Sequence, residues 1–180
     1  ERTRHEWLRH FFLQGNVLCH PSALIRRRAL DEVGLYDPLL GLMSDFDLWV
    51  RLCFRHEIHV LPEILTEMRI LSGERNLSGY RPDTLRRGGY EWLKVLAHYR
   101  SRKAVPQLPR IFPETDAPEG LRLFALARLA TGLGHPAHRL FGLDLTYDLL
   151  SDPVTRRDLQ EAFGPSIVRE ILATETLFRR

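Results

Sequence analysis

Only two cysteines occur in the 180 residues, Cys19 and Cys53, and both stand among apolar neighbours. That count excludes a disulfide-stapled secreted scaffold, so the expectation is a reduced intracellular protein, cytoplasmic by default. Runs of the roughly 18 to 20 apolar residues that a membrane-spanning helix needs are also lacking. The opening Glu1-Arg2-Thr3-Arg4-His5 does not have the make-up of a signal peptide. There is no zinc-finger spacing, no aromatic strand of the kind that reads RNA bases and no repeat of fixed period. The net charge of +3 is spread over Arg26-Arg27-Arg28, Arg86-Arg87 and Arg179-Arg180 rather than gathered in one tract. Such dispersal disfavours nucleic acid as a partner and suits an anionic small ligand or an anionic membrane surface. Because the chain opens on Glu1 rather than Met, the expectation is a piece of a longer protein.

What is present divides by composition. Residues 5–13 carry Leu8, Phe11 and Phe12 at helical spacing, and Gln14-Gly15-Asn16 breaks that pattern. Val17-Leu18-Cys19 and Ala23-Leu24-Ile25 flank His20-Pro21-Ser22 and read as one strand interrupted at the proline or as two short strands. A short helix follows from Arg26 to Val33, with Gly34 suited to the position just beyond it, and Tyr36-Asp37-Pro38 is a turn. From Asp45 to Phe54 only Asp45, Asp47 and Arg51 are polar, which predicts a helix buried on most sides. Residues 58–61 and 64–70 read as strands separated by Pro62-Glu63, and 72–79, rich in Gly and Ser, as a mobile loop able to close over a ligand. A helix is predicted from about Pro82 to Tyr99. An extended proline-rich linker follows at 105–113, then helices over 118–131, 136–150 and 153–178, the last broken at Gly164-Pro165. Pro136, Pro153 and Pro165 suit first helical positions, with Asp152 as a preceding cap.

Asp45 and Asp47 open the most apolar helix, and two roles compete for them. Ser44 with Asp47 three residues on has the spacing of a capping box, Asp47 with Arg51 that of an i,i+4 ion pair, and Asp45 complements the helix dipole. The chemical alternative is that a carboxylate at a helix start accepts the proton of an attacking hydroxyl. The dipole and free amides favour its charged form, so positioning rather than basicity would supply the effect.

Several short motifs in order, Gly15-Asn16-Val17-Leu18-Cys19-His20-Pro21-Ser22-Ala23-Leu24-Ile25-Arg26-Arg27, Leu30-Asp31-Glu32-Val33-Gly34-Leu35-Tyr36-Asp37, Ser44-Asp45-Phe46-Asp47-Leu48-Trp49-Val50-Arg51-Leu52, Leu61-Pro62-Glu63-Ile64-Leu65 and Met68-Arg69, resemble the second half of a family 2 glycosyltransferase. The resemblance covers about residues 10 to 80. It implies an α/β fold, the acceptor-side half of a GT-A domain at 1–80, then a helix and Pro-rich linker at 81–113 and an all-helical extension at 114–180. The implied activity is transfer of a sugar from a nucleotide-diphosphate donor to an acceptor hydroxyl, saccharide or lipid-linked, with inversion, as in bacterial-type polysaccharide synthesis. Asp45 matches the family's general base. Gly15, Asn16, Asp47, Arg51 and Arg69 match its substrate-binding surroundings, with Arg26, Arg27, Arg28 and Arg75 as further candidates to face a diphosphate. A divalent cation, Mg or Mn, is implied for the complete enzyme, with its ligands and the donor-binding half outside this chain, so the chain by itself is expected to be inactive. Peripheral contact with the inner face of a membrane fits the same activity.

Ser44 stands where the family often has an acid, and Leu71 where it often has a metal-assisting His. These departures motivate the alternative of a non-catalytic scaffold or partner-binding module. The pairs His56/His59 and His135/His138 have metal-binding spacing but lack further ligands, Trp49 reads as core, and neither Cys19 nor Cys53 has a base beside it.

Overall fold

A computed structural model describes residues 1–67, 69 and 82–167. The chain divides into two compact units, Glu1–His98 and Tyr99–Arg180. Among the described residues every regular element is helical. The predicted α/β half-domain is therefore corrected to an all-α architecture.

The first unit is built on α1 (Arg4–Gln14), α2 (Arg27–Val33), α3 (Ser44–Cys53) and α4 (Pro82–Leu96). α1 starts in a capping box, Thr3 Oγ1 accepting from the Glu6 amide while Glu6 Oε2 accepts from the Thr3 amide, 2.7 Å. It ends at Gly15, whose φ of 86° is one that glycine adopts without the clash a Cβ would cause. Trp7, Leu8, Phe11 and Phe12 form one buried stripe, and Phe11 meets Phe46 of α3 edge to face at 5.6 Å. α3 buries Phe46, Leu48, Trp49, Val50, Leu52 and Cys53, as its nearly all-apolar sequence requires.

The strand expectations fail for a physical reason. Alternation and β-branched residues are compatible with a strand, but a strand persists only when its amides and carbonyls find a ladder partner. At 17–25 the chain instead turns through a 3₁₀ segment at His20–Ser22, where Pro21 lacks the donor a ladder would use. Residues 58–67 run without regular structure, with Ile64 92% exposed, so their apolar side chains meet no second layer in the described chain. The expected mobile loop at 72–79 lies outside the described residues, as do Met68 and Ile70 of the second expected strand.

The second unit packs α5 (Leu108–Ile111), α6 (Glu119–Thr131), α7 (Pro136–Ser151) and α8 (Pro153–Phe163). The proline-rich stretch is not an extended linker. Its prolines open short helical turns, Val105–Gln107, α5 and Pro113–Thr115, and Leu108, Ile111 and Phe112 are buried. α7 and α8 begin at the predicted prolines, with His135 Nδ1 and the Asp152 carboxylate accepting the orphan amides of Ala137 and Thr155. α6 and α7 approach closely at Gly142, where a Cβ would sit 2.6 Å from both the Ala127 carbonyl oxygen and Thr131 Cγ2. Phe124, Leu150, Leu159 and Ile167 close a separate small core under α8.

Candidate functional site around Asp45

α3 presents its two acids in opposite ways. Successive helical residues turn by about 100°, so positions two apart face different directions. Asp47 is 5% exposed and its carboxylate is fully engaged, Oδ2 accepting from Arg51 Nε at 2.7 Å and Oδ1 meeting His98 Nε2 at 2.6 Å. Burial alone would raise its pKa. The His98 and Arg51 hydrogen bonds and charges outweigh that and hold it below the ordinary carboxylate range. Arg51 also donates to the carbonyls of Val33 (2.6 Å), Gly34 (3.1 Å) and Leu35 (2.8 Å), which lie at and just past the end of α2. Asp47 and Arg51 thus fix the strap leading to Tyr36, their charged groups engaged with each other and with protein partners.

Asp45 stays half-buried at the mouth of the helix. Its Oδ1 accepts from the Phe46 amide at 2.7 Å, and its Oδ2 accepts from Asn16 Nδ2 at 3.3 Å. Asn16 is itself fixed, its Oδ1 accepting from the Leu18 amide at 3.0 Å across a tight turn. Gly15 sets that turn's origin, and Trp92 of α4 lies 3.4 Å from where a Cβ would be. Three sequence-predicted site residues, Gly15, Asn16 and Asp45, are therefore brought together from positions about thirty residues apart in the chain. No described cation pairs with Asp45.

Two further side chains of the same unit pair with each other: Tyr36, read from the sequence as part of a turn, and His20, read as part of the interruption between two strand-like runs. Tyr36 Oη lies 2.8 Å from His20 Nε2, and the His20 ring is 6.3 Å from that of Trp49, one helical turn past Asp45. Burial, and then the charge of Asp45, push the Tyr36 hydroxyl above its ordinary pKa.

The expected capping box at Ser44 does not form. Ser44 is already helical, Met43 occupies the cap position, and no side chain of the segment caps it. Glu91 of α4, 2% exposed, instead holds the segment just before the helix, its carboxylate accepting the amides of Gly41 (3.1 Å), Leu42 (2.7 Å) and Met43 (2.9 Å) with Arg87 beside it. Successive amides converging on one anion form a nest. Burial raises the Glu91 pKa, but those amides and Arg87 more than offset it and leave it low.

The remaining candidates are placed elsewhere. Arg69 is exposed, while Arg75 lies outside the described residues. Arg27 pairs with Asp31 at 3.0 Å. His56 and His59 turn to different acids, Glu32 and Glu1. His135 caps α7 and His138 is buried. Burial pushes the Cys53 thiol far up, which removes it as a nucleophile. Among the described residues no group of three or more His, Cys, Asp or Glu side chains could hold a metal ion. No helix there is long and apolar enough to cross a membrane.

Compared with known proteins, the chain matches no family model, no curated protein and no solved structure. The resemblance to family 2 glycosyltransferases is accordingly corrected: the strands expected at 17–25, at 58–61 and in the described part of 64–70 are not formed, and no family is identified. Short motifs in order can arise from local needs, and here Gly34 and the Asp47–Arg51 pair are accounted for by a helix end and its clamp.

Proposed function

We propose that this chain supplies the acceptor side of a sugar transfer. A hydroxyl of a saccharide or lipid-linked acceptor gives its proton to the Asp45 carboxylate as its oxygen bonds to the anomeric carbon of a nucleotide-diphosphate sugar. The bond from that carbon to the diphosphate oxygen breaks, the electron pair leaves with the nucleoside diphosphate, and the configuration inverts. The observation that carries the reading is the contrast on α3. Asp47 is consumed by Arg51 and His98, whereas Asp45 is held in place by Asn16 and the Phe46 amide with no described cation neutralising it. A carboxylate fixed but unneutralised is what proton abstraction by positioning requires.

The donor belongs to residues other than those described. A divalent Mg or Mn is part of the proposal on that donor side only. The described residues do not fit a cation, because Asp47 is spent and Asp45 has no second acid beside it. The expected test is Asp45→Asn in the natural polypeptide that carries this sequence. Nucleotide-sugar-dependent transfer should fall by about two to four orders of magnitude while the folded state persists; turnover near the parent's would sink the assignment.

A second reading, a non-catalytic module that binds a partner, is favoured by the exposed apolar run Val60, Leu61, Ile64 and Leu65. Tight partner binding lost on Ile64→Asp, together with no transfer from any of a broad set of nucleotide sugars, would favour it over the first.

A further inference from the structure

Among the described residues Leu24 is the most exposed large hydrophobic side chain, at 102%, and it lies in a knuckle of chain over 20–28. The knuckle is tied down on both sides. Ser22 Oγ donates to the Cys19 carbonyl at 2.7 Å and the Ala23 amide to the His20 carbonyl at 3.1 Å, while Arg51 clamps the carbonyls of 33–35 at the far end of α2. Of α2 only Ala29 is buried, so the helix lies on the surface, with Arg27 and Arg28 exposed and Arg26 exposed just before it. The charges here are unevenly spent. Asp31 is answered by Arg27 at 3.0 Å, and Glu32 by His56 at 3.2 Å and Arg55 at 3.9 Å. Arg26 and Arg28 have no acid partner among the described residues, which leaves positive charge in excess beside the apolar tip. An exposed leucine alone is ordinary. Joined to uncommitted arginines, it has the two parts that hold a protein at a bilayer interface, a basic group for anionic headgroups and an apolar side chain for the acyl boundary. The exposed apolar run at 60–65 lacks that pairing, because Glu63 and Glu67, both exposed, stand in it and just after it, and an anionic surface repels them.

We infer that the knuckle at 20–28 is a contact surface for an anionic lipid bilayer, Leu24 entering between the headgroups while Arg26 and Arg28 bond lipid phosphates. Arginine suits this place, because its planar fork reaches two phosphate oxygens at once and its methylenes can lie along apolar surface. A free phosphate would engage the arginines and leave Leu24 in water; a bilayer uses both. Two arginines and one leucine give a weak, reversible and salt-sensitive attachment, not a permanent anchor. Asp45 has no part in it, so it stands or falls independently of the transfer reading.

The test is co-sedimentation of the full chain, at low ionic strength, with phosphatidylcholine vesicles and with vesicles containing about one-third phosphatidylglycerol. The expected result is binding to the anionic vesicles alone, largely lost in about 0.5 M NaCl. Replacing both Arg26→Ala and Arg28→Ala should weaken that binding about thirtyfold, and Leu24→Ala about tenfold. All three side chains are exposed, so the thermal midpoints of these variants should match the parent's. Leu24→Trp reports insertion directly: its added fluorescence, read against the parent, should shift to the blue on anionic vesicles and be quenched by brominated lipid. No binding to anionic vesicles, equal binding to pure phosphatidylcholine, or unchanged affinity in the double arginine variant would each overturn the inference. So would a Leu24→Trp emission that stays that of an indole in water. Displacement of the vesicles by millimolar inorganic phosphate, or tighter binding to a single-stranded oligonucleotide that Leu24→Ala leaves unaltered, would assign the arginines to another anion and overturn it as well.

Discussion

Glu1–His98 and Tyr99–Arg180 put their helices to different uses. In the first unit buried or half-buried charged side chains reach out of helices to hold irregular chain: Glu91 takes the amides of 41–43, and Arg51 takes the carbonyls of 33–35. In the second, helices pack directly on one another. Gly142 lets α7 meet the backbone of α6, and the buried hydroxyls of Thr115 and Thr146 bond to nearby carbonyls of their own segments. The segments held by charge are the ones that carry Tyr36 and lead into Asp45. A loop anchored by a buried, hydrogen-bonded charge is positioned much as a helix would be, yet it can leave its side chains facing solvent.

The sharpest way to break this contrast is Glu91→Ala. It orphans three amides and removes a buried anion, and a loss of about 3 kcal/mol in the stability of the first unit is expected from denaturant unfolding. Acid provides a second route to the same anchors. Glu91 and Asp47 both titrate below their ordinary range when folded, so their contribution is complete above the unfolded carboxylate pKa of about 4 and is lost as pH falls through and below it. The fall in stability as pH drops from about 6 to about 3, followed by denaturant unfolding at each pH, should therefore be larger in the parent than in a reference lacking both carboxylates. In the second unit, Gly142→Ala forces a methyl to within 2.6 Å of the α6 backbone. That overpacking should cost about 1–3 kcal/mol, visible as a lowered thermal midpoint. The smallest effect belongs to Arg27→Ala, whose ion pair with Asp31 joins side chains 82% and 58% exposed. A change within about 0.5 kcal/mol is expected in the same melt. A large loss there would show that surface pairs, not buried anchors, hold the first unit.

Helix ends were the most legible part of the fold. Gly15 and Gly34 stop helices, both at positive φ, and Pro136, Pro153 and Asp152 start them, because termination and capping depend on residues within one turn. Strands were misread because alternation is local, whereas a ladder partner is not; Ile64 has the right residue type yet is 92% exposed and in no strand among the described residues. The site divided along the same line. Asp45 was legible as the acid at the mouth of α3, and the i,i+4 spacing of Asp47 and Arg51 was legible as a pair. His98, 51 positions from Asp47, and Glu91, 49 from Leu42, carried no local signal that could connect them to α3.

By itself, then, the sequence determined where helices begin and end, which faces are apolar, and that two acids open the most apolar helix. Only the tertiary structure decided which acid is spent and which is left open. The 100° turn between residues sends Asp47 into the core, where Arg51 and His98 must neutralise it, and leaves Asp45 beside Asn16 at the surface. Those partners come from remote chain, and burial cost is set by what surrounds a group in space, not by what adjoins it in sequence.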